Sequence, residues 1–252
     1  MNEIYLPGYL IPKNKTTLLR CGSQNDGGYL LNKNDILKSD TLISLGIHDN
    51  WEFENNIYKN SKIKNIILFD PETSYLLILK YLLISIVKFN FKKLKSNFLK
   101  FKELDNLKSY STFFNQKFDK NLVLKYLNSK NIIFKIDIEG DEYKDLEFIL
   151  DHQEKINSLI IEFHDVGKNY NIIHKFIMNL KLNLIHTHVN TFSQKKNIAI
   201  ELSFSRYAAL SNEKWCQSDL DHIDFPNHPK HSNIKIITSM KNKKSNDFVK
   251  FI

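Results

Sequence analysis

Three stretches of this 252-residue chain end an apolar run in acids or imidazoles. They read Lys135-Ile136-Asp137-Ile138-Glu139-Gly140, Glu162-Phe163-His164-Asp165 and His186-Thr187-His188-Val189-Asn190. Side chains alternate across a strand, so Asp137 pairs with Glu139, Glu162 with His164, and His186 with His188 and Asn190 on a shared side. Carboxylates at the end of an apolar strand are costly to bury unless they bind something. Carboxylate, imidazole and amide groups converging on one sheet edge suit a hard or borderline divalent ion. A lone histidine is more often structural; two such clusters on successive strands point to a functional site. For the first stretch, helix capping by Asp141 and Glu142 is a second use of the same acids.

Two further residues occupy comparable places earlier in the chain. Gly46, in Leu45-Gly46-Ile47-His48-Asp49-Asn50, follows an apolar run and lets the backbone approach a ligand closely. Asp70 closes the next apolar run, about 20 residues further on, where an acid accepts both ribose hydroxyls of a nucleoside cofactor. Together they suggest an adenosine-containing ligand. A glycine-rich pyrophosphate cradle is missing, which disfavours a dinucleotide. S-adenosylmethionine carries no phosphate and needs no such cradle.

These residues require strands that end at a common edge. Residues 41–47, 65–69, 131–138, 158–163, 182–189 and 198–204 read as strands. Residues 51–59, 141–150 and 170–180 read as helices between them. Such alternation predicts a mostly parallel sheet covered on both faces. The last two strands are joined too tightly for a helical crossover and should pair antiparallel. The expected fold is therefore Rossmann-like α/β, with ligands beyond the carboxyl ends of the strands.

Composition narrows the class further. At 42% hydrophobic and 25% charged, the chain supports one sizeable core and is not disordered in character. We expect one domain over residues 1–252, with a lysine-rich apolar helical insertion at about 74–108. Net charge is +8, but only Arg20 and Arg206 are arginines. Nucleic-acid sites lean on arginine forks, so a nucleic-acid partner is not expected. Cys21 and Cys216 form no metal or redox pattern, and the first residues carry no secretory pattern, which suits a reducing cytoplasm. Residues 75–89 are very apolar but too short to span a bilayer. They are expected to pack on the core with the lysine stem reaching solvent. Peripheral contact with an anionic membrane, or with a twin subunit, is the alternative.

The ordered motifs resemble a known family. Arg20-Cys21-Gly22-Ser23-Gln24-Asn25-Asp26-Gly27-Gly28-Tyr29, then LGIHDNWEFE, FDPE, KIDIEGDE and IEFHDV, are similar to the FkbM-like methyltransferases. The likeness is greatest to the subset that carries R-x-G-x-x-x-D-G-G-Y near the start; HTHVNT and ELSF also fit that subset, and the likeness runs from about Arg20 to Pro229. The resemblance implies a class I methyltransferase fold, S-adenosylmethionine as methyl donor, and O-methylation, often of bacterial glycan sugars. It places the cofactor near Asp26, Gly27, Gly28, Gly46 and Asp70. It also points to a Mg²⁺ or Mn²⁺ ion on Asp137 and Glu162, with His164 or His188 as further ligand or base; their strand-end positions suggest His188 as the third ligand and His164 as the base. Asp137, His164 and His188 are thus the expected catalytic residues. A nucleotide-activated sugar, such as a capsular heptose or hexose, is the expected substrate. A nucleic-acid methyltransferase and a non-catalytic membrane-docked binding module are the rival readings.

Overall fold

The computed structural model of the chain describes residues 3–128, 131–192, 198–209, 211–230, 232–237 and 250–251. Its centre is a sheet of seven strands, labelled here in chain order. They are β1 (Thr41–Leu45), β2 (Asn65–Phe69), β3 (Thr112–Phe114), β4 (Ile132–Ile136), β5 (Ile156–Phe163), β6 (Asn183–Phe192) and β7 (Ile198–Ser205). The spatial order is β3-β2-β1-β4-β5-β7-β6. β1 to β5 run parallel. β7 runs antiparallel to both β5 and β6, between which it lies. Five residues separate β6 from β7, too few for a helical crossover, so the chain must reverse.

The strands are apolar throughout because both faces of the sheet are covered. Ile43, Leu45, Ile67, Phe69, Phe134, Ile136 and Ile161 join one core layer. Their alternate neighbours Leu42, Ile66, Leu68, Ile133 and Ile160 join the other. The first layer packs on α5 (Lys120–Leu124), α6 (Leu146–His152) and α7 (Val166–Asn179) through Val123, Phe148, Ile149, Ile173 and Phe176. The second packs on α2 (Glu52–Asn60), α3 (Tyr75–Val87) and α4 (Phe91–Tyr110) through Phe53, Ile57, Ile78, Leu104 and Leu107. Each fully buried side chain of this size contributes about 1.5–3 kcal/mol, so a period-two pattern on both faces holds the register.

Three elements lie outside the alternation expected from sequence. An antiparallel hairpin, Leu18–Gly22 with Gly28–Asn32, leads into α1 (Lys33–Lys38). Glu3–Tyr5 pairs with Lys235–Ile237 and Lys250–Phe251 in a small second sheet. The edge strand β3 follows the long insertion.

The insertion itself departs from expectation in two ways. It is two helices, α3 and α4, and between them Phe89 takes a left-handed turn at φ 48°. Asn90 starts α4 by accepting from the Lys93 N–H at 3.0 Å. The extent of its packing on the core is the second difference. Only Ile78 and Ser85 of α3 are buried, and most of its remaining apolar residues face outward. The core needs one stripe of this helix, whereas the sequence supplies apolar residues on every side.

Candidate functional site

The carboxyl ends of β1, β2, β4 and β5 converge on one edge. At the end of β1 the backbone turns through Gly46, at φ 75°. A Cβ there would lie 1.6 Å from the Asp137 carbonyl oxygen, so only glycine lets these two strand ends meet. Lys135 lies within β4 with its side chain 4% exposed. Its Nζ donates to the Gly46 carbonyl at 2.6 Å and lies 3.9 Å from Glu54. Ser44 Oγ donates to the same Glu54 at 2.6 Å. A buried lysine–glutamate pair thus holds the turn from below.

Asp70 is buried beneath the same turn. One of its oxygens accepts from the Ile47 and His48 N–H groups at 2.9 and 2.7 Å. The other accepts from Glu72 and Thr73, both at 2.7 Å. A carboxylate has about four acceptor positions, and all are taken. Asp70 therefore shapes the loop, at the strand end where the sequence places an acid for ribose hydroxyls. His48 stands above it at φ 42°, 3.1 Å from Asp49 and 3.5 Å from Glu72. The Asp49 contact comes first among the causes that raise the His48 imidazole above its ordinary value.

The turn of the first hairpin closes over this loop. Asn50 Nδ2 donates to the Asp26 carbonyl at 2.7 Å, joining 22–28 to 46–50. Arg20 fixes the turn from behind, donating to the carbonyls of Ser23, Asn25 and Ile223 at 2.7, 2.9 and 3.1 Å. Asp26, Gly27, Gly28 and Gly46, expected at a cofactor, are thus on two segments that meet. Burial, then the nearby Asp137, raises the Asp26 carboxyl.

Beside this pair of loops is a row of ionisable groups. Asp137 follows Ile136, which pairs with Ile161, so Asp137 lies next to Glu162. Glu162 is in register with Glu201 of β7, and Glu201 with His188 of β6. Tyr29 Oη donates to Asp137 Oδ2 at 2.8 Å. Donor atoms of Asp137, Glu162 and His164 all lie within 4.8 Å of one another, as ligands of a single cation would. His164 Nε2 is 3.7 Å from Glu162 and 3.4 Å from Glu139. Its Nδ1 is 3.4 Å from Glu142. Glu142 is fully buried, accepting from the Gly140 and His164 N–H groups at 2.8 and 2.7 Å.

The electrostatics follow from this crowding. Burial and the neighbouring Asp137 push the Glu162 carboxyl upward. Burial alone would pull the His164 imidazolium down, but Glu142, Glu162 and Glu139 outweigh it and raise it to about 9. Burial and Glu162 also raise Glu201. The site therefore concentrates negative charge and holds protons to offset it.

His188 is not brought into the cluster. It lies two strands from Glu162, about 10 Å across a sheet, too far to share a first coordination shell. Its Nδ1 is 2.8 Å from Asp224, and Nε2 of His186 is 3.2 Å from the same carboxylate. Burial pushes Asp224 up, but the two imidazoles outweigh it and hold it well below the usual carboxylate range. The two histidines thus belong to a buried cluster of two imidazoles and one carboxylate that anchors segment 221–224 to the sheet.

Sequence reasoning missed Glu201, Tyr29 and Asp224, and took Glu142 only as a helix-capping acid. The signal for Glu201 was available: like Glu162 in SLIIEF, it is a single carboxylate inside an apolar strand. Asp224 and Tyr29 had no such signal, since only long-range packing brings them in. Left-handed φ values at non-glycine residues also gather here. His48, Glu139 and Asp165, at 42°, 52° and 50°, each lie just beyond the end of a strand. Such backbone conformations cost about 1–3 kcal/mol and cluster at functional sites.

The strand order β3-β2-β1-β4-β5-β7-β6, with β7 reversed and the ligand edge at the carboxyl ends, is the Rossmann-like class I methyltransferase fold. No family model and no curated protein matches the chain, so the FkbM-like resemblance stands on its motifs alone. Among solved structures, the chain is similar to an rRNA methylase from Streptococcus thermophilus at 11% identity, over 69% of this chain and 92% of that one, with a TM-score of 0.39. It is similar to M. capricolum TrmK bound to S-adenosyl-homocysteine at 12% identity, over 72% and 70%, with a TM-score of 0.36. It is also similar to M. jannaschii TYW2 bound to AdoMet at 11% identity, over 69% and 74%, with a TM-score of 0.36. The fold class rests on the strand order and not on these distant likenesses.

Proposed function

We propose that this protein is an S-adenosylmethionine-dependent O-methyltransferase that acts on a sugar hydroxyl, with a divalent cation at Asp137, Glu162 and His164. One observation carries the proposal: those three side chains converge beside the Gly46 turn, at the edge where this fold binds ligands. The donor set fits Mn²⁺ or Mg²⁺. It offers two carboxylates and an imidazole, and the far ring nitrogen faces a buried carboxylate, Glu142, as metal-bound histidines commonly do. His164 is accordingly a ligand in this reading, and the sequence-based choice of it as base is revised.

Bound at loops 22–28 and 46–50, S-adenosylmethionine would supply an electrophilic methyl, and the cation would lower the pKa of an acceptor hydroxyl. The chain's own residues do the rest. Asp70 and Lys135 hold the loop backbone, Asn50 ties the two loops together, and Tyr29 orients Asp137. In the displacement the acceptor oxygen gains the methyl, the carbon–sulfur bond breaks, and the hydroxyl proton leaves. Glu139, exposed beside His164, is placed to take that proton and pass it to water. A nucleotide-activated sugar is the favoured acceptor, by analogy with the resembled family.

A nucleic-acid methyltransferase is the second reading. It is favoured by the net charge of +8. Transfer of labelled methyl from S-adenosylmethionine separates the two. Incubation with nucleotide sugars and Mn²⁺ should label the sugar, and EDTA or Glu162→Gln should lower the rate at least a hundredfold. Labelled RNA with unlabelled sugars would establish the second reading, and full activity in EDTA would remove the cation.

A further inference from the structure

The helical hairpin α3–α4 presents apolar surface that nothing in the described chain covers. Leu76, Leu79, Leu83, Ile86 and Val87 fall on one stripe of α3, spaced three, four, three and one residues apart. Leu76 and Val87, at opposite ends, are each 76% exposed. The opposite stripe, centred on Ile78 and Ser85, is the one buried against the protein. At the turn, Phe89 is 82% exposed and Phe91 is 75% exposed. Behind the stripe, an open groove of about 460 Å³ between the helices is lined by Leu82, Ile86, Phe91, Leu94, Lys95 and Phe98.

Charge identifies what fits this surface. Between Ser74 and Lys102 there are seven lysines and no acid. Lys80, Lys88, Lys92, Lys93, Lys95 and Lys102 are exposed around the apolar stripe. A second copy of the chain would set lysines against lysines. A polyanion such as RNA would satisfy the lysines and leave the apolar stripe in water. An anionic lipid surface satisfies both, with headgroups at the lysines and acyl chains under the leucines and phenylalanines. The hairpin cannot cross a bilayer: α3 has 13 residues, about 20 Å of helix, against a hydrocarbon core of about 30 Å. Among the described residues no helix is long and apolar enough to span.

We infer that the α3–α4 hairpin docks the protein, in the plane of the interface, on a membrane rich in anionic lipid. Lys100 of α4 donates to the Asp49 carbonyl and carboxylate at 2.9 and 2.6 Å, so the docked hairpin is tied to loop 46–50. The inference does not depend on the acceptor or on the cation.

Flotation with vesicles of phosphatidylcholine alone, or with 30% phosphatidylglycerol, tests it on the full chain. Co-flotation is expected with the anionic vesicles at low salt and should be lost at high salt. Each of Lys92→Gln, Lys93→Gln and Lys95→Gln should weaken binding about fivefold. Leu83→Asp with Val87→Asp should abolish it, with an unchanged circular dichroism spectrum and melting temperature. No flotation at low salt overturns the inference, whether the free chain then proves to dimerise through this face or to bind RNA. Equal flotation with neutral vesicles removes the role of the lysines. Undiminished flotation of the double aspartate variant moves the contact elsewhere.

Discussion

His164 shows how one side chain can report on a whole site. Its imidazole is raised to about 9 because Glu142, Glu162 and Glu139 outweigh burial. A base whose folded pKa exceeds its unfolded value, near 6.5, stabilises the fold fully below 6.5. That contribution disappears as pH rises through about 9. Glu162 is shifted in the same direction and adds to the same slope. The melting temperature of cation-free protein should therefore fall between pH 6.5 and 9, and by less in His164→Ala. Added Mn²⁺ competes with the protons, so its stabilising effect should grow over the same range. A melting temperature that Mn²⁺ leaves unchanged at every pH would argue against the cation site.

At the scale of elements, the β1–β4 junction decides where loop 46–50 sits. Gly46 allows the strand ends to meet, and Lys135 of the adjacent strand holds the turn. Lys135→Met keeps most of the packing volume but strands the fully buried Glu54 and a carbonyl. Removing one partner of a buried pair is expected to cost about 3–5 kcal/mol. Urea unfolding should show a lowered midpoint with an unchanged slope, and S-adenosylmethionine affinity should fall with it. The hairpin 18–32 plays a complementary part, since Arg20 anchors its turn to the Ile223 carbonyl and Tyr29 reaches Asp137. It could not be inferred from periodicity, because its strands are short and its partners lie far along the chain.

For the whole molecule, occupancy of the strand-end site should be visible as stability. Ligand at a hundred times its dissociation constant adds about 2.7 kcal/mol to a folded protein. In a domain of this size that corresponds to a rise of about 5–10 °C in melting temperature. S-adenosylmethionine should produce such a rise, and NAD should not; the reverse result would assign the site to a dinucleotide. The parallel sheet, its reversed last pair and the strand-end placement of Gly46, Asp70, Asp137, Glu162 and His164 were legible in the sequence. Apolar period and connection length are local properties, and they determine strands and crossovers directly. Which acids meet was decided only by the tertiary structure. Register across three strands set Glu201 between Glu162 and His188, and the 221–224 segment gave His188 to Asp224. At Asp70 the fold turned four backbone N–H groups onto one carboxylate, a convergence that no local pattern announces. An apolar helix likewise looks the same in sequence whether one side or all of it is buried, and only packing reveals the side left in water.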